Sequence, residues 1–112
     1  MQLIKQPTST TCGQCCIAML LGISLEEAIK SVGHDGISSD EDMLKLIFQK
    51  YTTAHHFLFK SGPPPKDIVA LVKHKEPGGV REHWTVSYYG EILDPACLKK
   101  KLWPPSKYVK AR

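Results

Sequence analysis

Cys12, His83, Asp94 and Gln6 are the residues of this chain whose types and spacing suit a chemical reaction. Thiolate, imidazole, carboxylate and a side-chain amide are the groups that acyl transfer through a cysteine requires. Cys12 lies in Gln6-Pro-Thr-Ser-Thr-Thr-Cys12-Gly13-Gln14-Cys15-Cys16, immediately before an apolar run. His83 opens the segment His83-Trp-Thr-Val-Ser-Tyr-Tyr89, and Asp94 follows it closely. Gln6 stands six residues before Cys12, where its amide N–H would assist the backbone N–H of Cys12 in holding a developing oxyanion.

These groups must be positioned by the elements around them. Thr11-x-x-Gln14 reads as a capping box that starts a helix with Cys12 in its first turn and Gly22 as its stop. Residues 15–21 are all apolar, which predicts a helix buried on every side. A cysteine in a first turn feels the positive end of the helix dipole, and a neighbouring imidazolium adds to it; both favour the thiolate. The bland alternative for Cys12 is a small buried hydrophobe.

His83 and Asp94 can be tested for proximity by building a hairpin. A two-residue turn at Tyr89-Gly90 pairs Val86 with Leu93 and Thr85 with Asp94, so that His83 and Asp94 share a face. A turn at Gly90-Glu91 keeps them on one face but farther apart, and a three-residue loop puts them on opposite faces. Diagonal neighbours of this kind lie about 7–8 Å apart, within side-chain reach. The opposite face carries Trp84, Val86, Tyr88 and Leu93, suited to packing on the helix that carries Cys12.

Elsewhere, the first eleven residues read as extended, with Pro7 excluding a regular helix. Ser24-x-x-Glu27 opens a second helix to about Val32, and Ser39-x-x-Asp42 a third, with Met43, Leu44, Ile47 and Phe48 on one stripe. Residues 53–59 read as a strand, Lys66 to about Lys73 as a short helix, and the tail from Leu98 as mostly irregular. Helices lead and strands follow, which predicts an α+β domain with a central buried helix on an antiparallel sheet.

The 112 residues suffice for one domain, residues 1–112, with a small core. No stretch approaches the ~18 apolar residues of a membrane span. The N-terminus lacks the apolar core of a signal peptide, so the expected location is cytoplasmic and the four cysteines are expected to be free thiols. The net charge of +4 is modest and gathers in the tail from Lys99 to Arg112, as a solvated face rather than a nucleic-acid patch.

The chain resembles the bacteriocin-processing (double-glycine leader) peptidase family and its free-standing relatives, within the papain-like cysteine peptidases. The resemblance rests on Gln6, five residues, then Cys12-Gly13; on His83-Trp84-Thr85-Val86; and on Asp94-Pro95, and it spans residues 2 to about 97. It implies a minimal papain-like fold, with Cys12 as nucleophile, His83 as general base and acid, Asp94 as the orienter of His83 and Gln6 as oxyanion donor. It further implies a peptide or protein substrate and neither cofactor nor metal. The chain departs from the family in having Thr11 where many members carry Asp. Cys-x-x-Cys sequences of classical papain-type enzymes use their second cysteine, which makes Cys15 a rival nucleophile.

Other readings compete. The same thioester chemistry serves isopeptidases, deamidases and transglutaminases. A papain-like shell can also serve binding alone. Cys12-Gly-Gln-Cys15 is a redox Cys-x-x-Cys, although eleven preceding residues leave little room for the β-α-β unit of a thioredoxin-like fold. Cys12, Cys15 and Cys16 with His55 and His56 match no common zinc spacing.

Overall fold

The computed structural model describes residues 1–50, 59–97 and 102–111, with backbone only for 48–50. Three helices pack on a five-stranded antiparallel sheet. The helices are α1 (Cys12–Leu21), α2 (Leu25–Val32) and α3 (Asp40–Lys50). The strands are β1 (Lys60–Ser61), β2 (Val69–Lys75), β3 (Glu82–Tyr88), β4 (Glu91–Leu93) and β5 (Pro105–Lys110), in the order β1-β5-β2-β3-β4. No helix among the described residues is long and apolar enough to cross a membrane.

Helix α1 is the centre of the molecule. Every residue from Cys12 to Leu20 is buried, because α2, α3 and β3 all pack against it. Gly22 ends it in the left-handed conformation, with its N–H returning to the carbonyl of Ala18. The expected capping box at its start is absent. Thr11 makes no side-chain cap; its hydroxyl instead donates to the carbonyl of Thr8. Gln14 turns away to donate to the carbonyls of His34 and Gly36, at 2.9 and 2.8 Å, pinning the α2–α3 loop against α1. That tertiary demand outcompetes the local cap.

The other two helices begin as their sequences predict. Ser24 accepts from the N–H of Glu27, and Gly33 closes α2. At α3, Ser39 accepts from the N–H of Asp42 while Asp42 accepts from the N–H of Ser39, a reciprocal box. Met43, Leu46 and Ile47 are buried and Leu44 is partly so; the Phe48 side chain lies outside the described residues.

The sheet contains two corrections to the sequence reading. The segment expected as a helix from Lys66 to Lys73 is largely strand β2, buried from Val69 to His74. It is flanked by β3 and β5, so it is an interior strand, and a short apolar run of that kind cannot be told from a helix by periodicity. The tail expected to be irregular supplies β5, which inserts between β1 and β2. Its alternation, Ser-Lys-Tyr-Val-Lys, is weak, and only long-range pairing orders it. Pro105 stands at the first position, where a missing N–H is tolerated. The strand expected over 53–59 lies, apart from Phe59, outside the described residues, as do Lys99, Lys100, Lys101 and Arg112 of the basic tail.

The β3–β4 hairpin has the two-residue turn at Tyr89-Gly90. Both residues have positive φ, 50° and 90°, as a twist-matched tight turn requires. Val86 pairs with Leu93, and the ladder ends there, one pair short of Thr85 and Asp94. Leu71, Val86, Leu93 and Val109 align across four strands on the face that meets the core. The alternate residues, among them His74, His83 and Thr85, occupy the opposite face.

Candidate active site

The structure brings Cys12, His83, Asp94 and Gln6 together at one cleft edge. Cys12 is the first residue of α1 and is 8% exposed. His83 is the second residue of β3 and is 7% exposed. Its Nε2 lies 2.6 Å from Oδ1 of Asp94. That contact uses one ring nitrogen and leaves Nδ1 as the nitrogen available to Cys12, which lines the same cleft.

Asp94 is fixed by its own turn. Just after β4 the chain reverses, with the Cys97 N–H donating to the Asp94 carbonyl at 2.9 Å. The Ala96 N–H donates to Oδ1, the oxygen that also meets His83, at 2.9 Å. The carboxylate is therefore held from the backbone side while it orients the imidazole. The adjacent Pro95 carbonyl accepts from the backbone N–H of Gln6 at 2.9 Å. One short turn thus anchors both the histidine's partner and the segment that carries the side-chain amide.

The Gln6 Nε2 donates to the carbonyl of Thr8 at 2.8 Å, which sets the amide orientation, since that carbonyl can only accept. An NH₂ group has two hydrogens, so one remains for another acceptor. Gln6 lines the same cleft as Cys12 and His83, together with Ser38, Trp84 and Trp103. The cleft has a volume of about 670 Å³.

The electrostatics separate the cysteines and histidines. Burial alone pushes His83 down, but hydrogen bonding of its ring to Asp94 and Cys12, and their negative charge, carry it up to about 9. An imidazolium is thereby favoured beside Cys12. Cys15 is fully buried, and burial together with repulsion from Cys12 pushes its thiol up to about 11. Burial raises Cys16 as well, well above its ordinary value. Of the three cysteines on α1, only Cys12 lines the cleft. All four cysteines are unpaired, and Cys97 is exposed.

Close packing supports this geometry. Gly13 follows Cys12, and a Cβ at that position would sit 2.6 Å from Oγ and 2.7 Å from Cβ of Ser38. The start of α1 can therefore approach the loop before α3 only because residue 13 has no side chain. The Trp84 indole N–H donates to the Ser38 carbonyl at 3.2 Å, tying β3 to the same loop.

Several site residues escaped the sequence reading. Lys73 lines the cleft and its Nζ meets Asp40 at 2.5 Å and Glu82 at 3.0 Å; Lys107 pairs with Asp40 as well. His74 lies directly across the ladder from His83, with ring centroids 6.5 Å apart. Lys73 was hidden by the helix expected to end there, which left His74 just beyond it with no strand to set it opposite residue 83. Trp103 was hidden in a tail read as irregular. His55 and His56 lie outside the described residues, and among those described no cluster of three or more His, Cys, Asp or Glu is placed to hold a metal. The sheet around Cys12-Gly-Gln-Cys15 is antiparallel throughout, with no β-α-β unit among the described elements.

A thiol at a helix start, an imidazole turned toward it and a carboxylate behind the imidazole can together generate a nucleophile and return a proton to a leaving group. No protein-family model, no curated protein and no solved structure matches the chain.

Proposed function

We propose that the chain is a papain-like cysteine peptidase of the bacteriocin-processing type, acting on a peptide or protein. The observation that carries this reading is His83, held through Nε2 by Asp94 at 2.6 Å and lining one cleft with Cys12. Helix α1, with Cys12 at its start and packed on the strand that carries His83, fits the architecture expected of such an enzyme.

In this mechanism the Cys12 thiolate attacks the scissile carbonyl carbon, and the carbonyl electrons move to oxygen. The Cys12 N–H and the free hydrogen of the Gln6 amide stabilise that oxyanion. His83 gives its proton to the leaving amine as the C–N bond breaks, leaving a thioester on Cys12. His83 then takes a proton from water as the oxygen adds to the thioester carbon. The C–S bond breaks to release the carboxylic acid product, and the Cys12 thiolate and protonated His83 are restored. Asp94 keeps the ring oriented throughout and stabilises its charged form.

The direct experiment is incubation with a diverse peptide library, followed by mass spectrometry of both peptides and protein. Wild-type protein should cut a subset of peptides and carry an acyl adduct on Cys12 after a rapid quench, while Cys12→Ala and His83→Ala should do neither. A library that stays intact while glutamine side chains are converted to glutamate or cross-linked would assign the same site to deamidation or transglutamination instead.

A further inference from the structure

His74 and Trp103 form a second layer behind the site. His74 is 2% exposed. Its Nδ1 lies 2.7 Å from the carbonyl of Trp103 and its Nε2 lies 2.7 Å from Oγ1 of Thr85. A carbonyl only accepts, so Nδ1 carries the hydrogen, and in the neutral ring Nε2 accepts from the Thr85 hydroxyl. Burial, and more weakly the charge of His83, lower the pKa of His74 despite the Trp103 carbonyl, which favours this neutral ring. Thr85 is itself fully buried in β3. The ring therefore bridges the interior of the sheet to one backbone carbonyl of the segment leading into β5.

Trp103 lines the cleft that Cys12 and His83 also line. The Arg81 guanidinium lies over the indole, 5.6 Å from its centroid. Arg81 is in turn gripped by Glu76 through Nε at 2.8 Å and Nη2 at 3.1 Å. The indole is thus clamped from solvent by a forked ion pair, and its backbone is clamped from the interior by a buried histidine.

We propose that Trp103 is a substrate-binding wall of the Cys12 cleft and that His74 is the positioning residue that holds it there. The proposal rests on the peptidase reading for the identity of the ligand, an extended peptide chain. The His74–Trp103 clamp stands on its own geometry.

The test uses two reagents that alkylate the same thiol. Iodoacetamide needs no wall; acetyl-tetra-alanine chloromethyl ketone brings a peptide that does. The ratio of their second-order rates at Cys12 cancels changes in thiol reactivity. Protein labelled with 5-fluorotryptophan supplies a second readout, with the Trp103 fluorine resonance assigned by its loss in Trp103→Phe. In His74→Phe the peptide-to-iodoacetamide ratio should fall at least tenfold and the Trp103 resonance should shift or broaden. His74→Asn, whose amide N–H can take the place of Nδ1–H, should keep both close to wild type. Trp103→Ala, which removes only a half-buried side chain, should lower the ratio as His74→Phe does, and it decides the question should His74→Phe not fold. An unchanged ratio in Trp103→Ala overturns the wall, and an unmoved resonance in folded His74→Phe overturns the clamp. A wild-type Cys12 that resists both reagents contradicts the peptidase reading instead, and the fluorine result still decides whether His74 positions Trp103.

Discussion

The backbone N–H of Gln6 donates to the carbonyl of Pro95 across 2.9 Å, so the proposed oxyanion donor is tied to the residue that follows Asp94. The irregular N-terminal segment is thereby given a fixed place relative to the β3–β4 hairpin.

This tie leads to a first expectation. Gln6→Ala removes a side chain while leaving the backbone bond to Pro95 intact. Peptide turnover should fall by about 10²–10³, the usual effect of losing one oxyanion donor. Alkylation of Cys12 by iodoacetamide forms no oxyanion and should be unchanged. Parallel measurement of the two rates separates the proposed role from a packing role, in which both would fall.

Asp94 acts through His83. Removing the general base, in His83→Ala, should cost about 10²–10⁴ in turnover. Asp94→Ala should cost less, since His83 keeps a nitrogen beside Cys12. Added to Cys12→Ala, the Asp94 change should cost almost nothing more, because groups that work as a unit are not additive. Steady-state kinetics of the single and double variants give the comparison. Wild-type turnover in Asp94→Ala would mean that Asp94 only shapes the turn through its bond to the Ala96 N–H.

The raised His83 makes folding stability depend on pH. Its folded value of about 9 exceeds the ordinary 6.5, so its contribution is complete below pH 6.5 and is lost as pH rises toward 9. Cys15, raised from 9.0 to about 11, acts in the same direction but only above pH 9. Urea midpoints measured from pH 6 to 10 should therefore fall in two stages. His83→Ala should flatten the first stage, and Cys15→Ser should weaken the second, to which the raised Cys16 thiol also contributes.

Gly13 is a packing constraint at the start of α1. Gly13→Ala improves helix propensity by about 1 kcal/mol, but a Cβ 2.6 Å from Ser38 Oγ forces the loop to move. Overpacking of this kind costs about 1–3 kcal/mol and should win. Thermal unfolding should show Gly13→Ala below wild type and the double variant Gly13→Ala, Ser38→Gly recovering most of the loss. A Gly13→Ala protein as stable as wild type would mean that the loop yields freely.

What could be read from the sequence was local or strongly patterned. The buried helix from Cys12 and the boxes at Ser24 and Ser39 are written in neighbouring residues, whereas the Tyr89-Gly90 turn is one of three the sequence allows. Once the turn was fixed, register placed His83 and Asp94 on one face. What was hidden depended on partners far along the chain. Val69–Lys75 became a strand because β3 and β5 flank it, and Pro105–Lys110 became one because β1 and β2 receive it. Gln14 left its local cap for two carbonyls more than twenty positions on average from its own. His74 and Trp103 meet only through that topology, so no spacing rule could have joined them.

The central claim is that Cys12 and His83 form the reactive pair, and alkylation with iodoacetamide at pH 6, followed by peptide mapping, tests it most directly. Cys97 is exposed and Cys12 is 8% exposed, so access alone would label Cys97 first. Cys12 begins a helix and shares its cleft with the His83 ring, which can take up the thiol proton as the sulfur attacks. Cys12 should therefore be modified first, and His83→Ala should abolish that lead. Labelling of Cys97 or Cys15 ahead of an inert Cys12 would contradict the account.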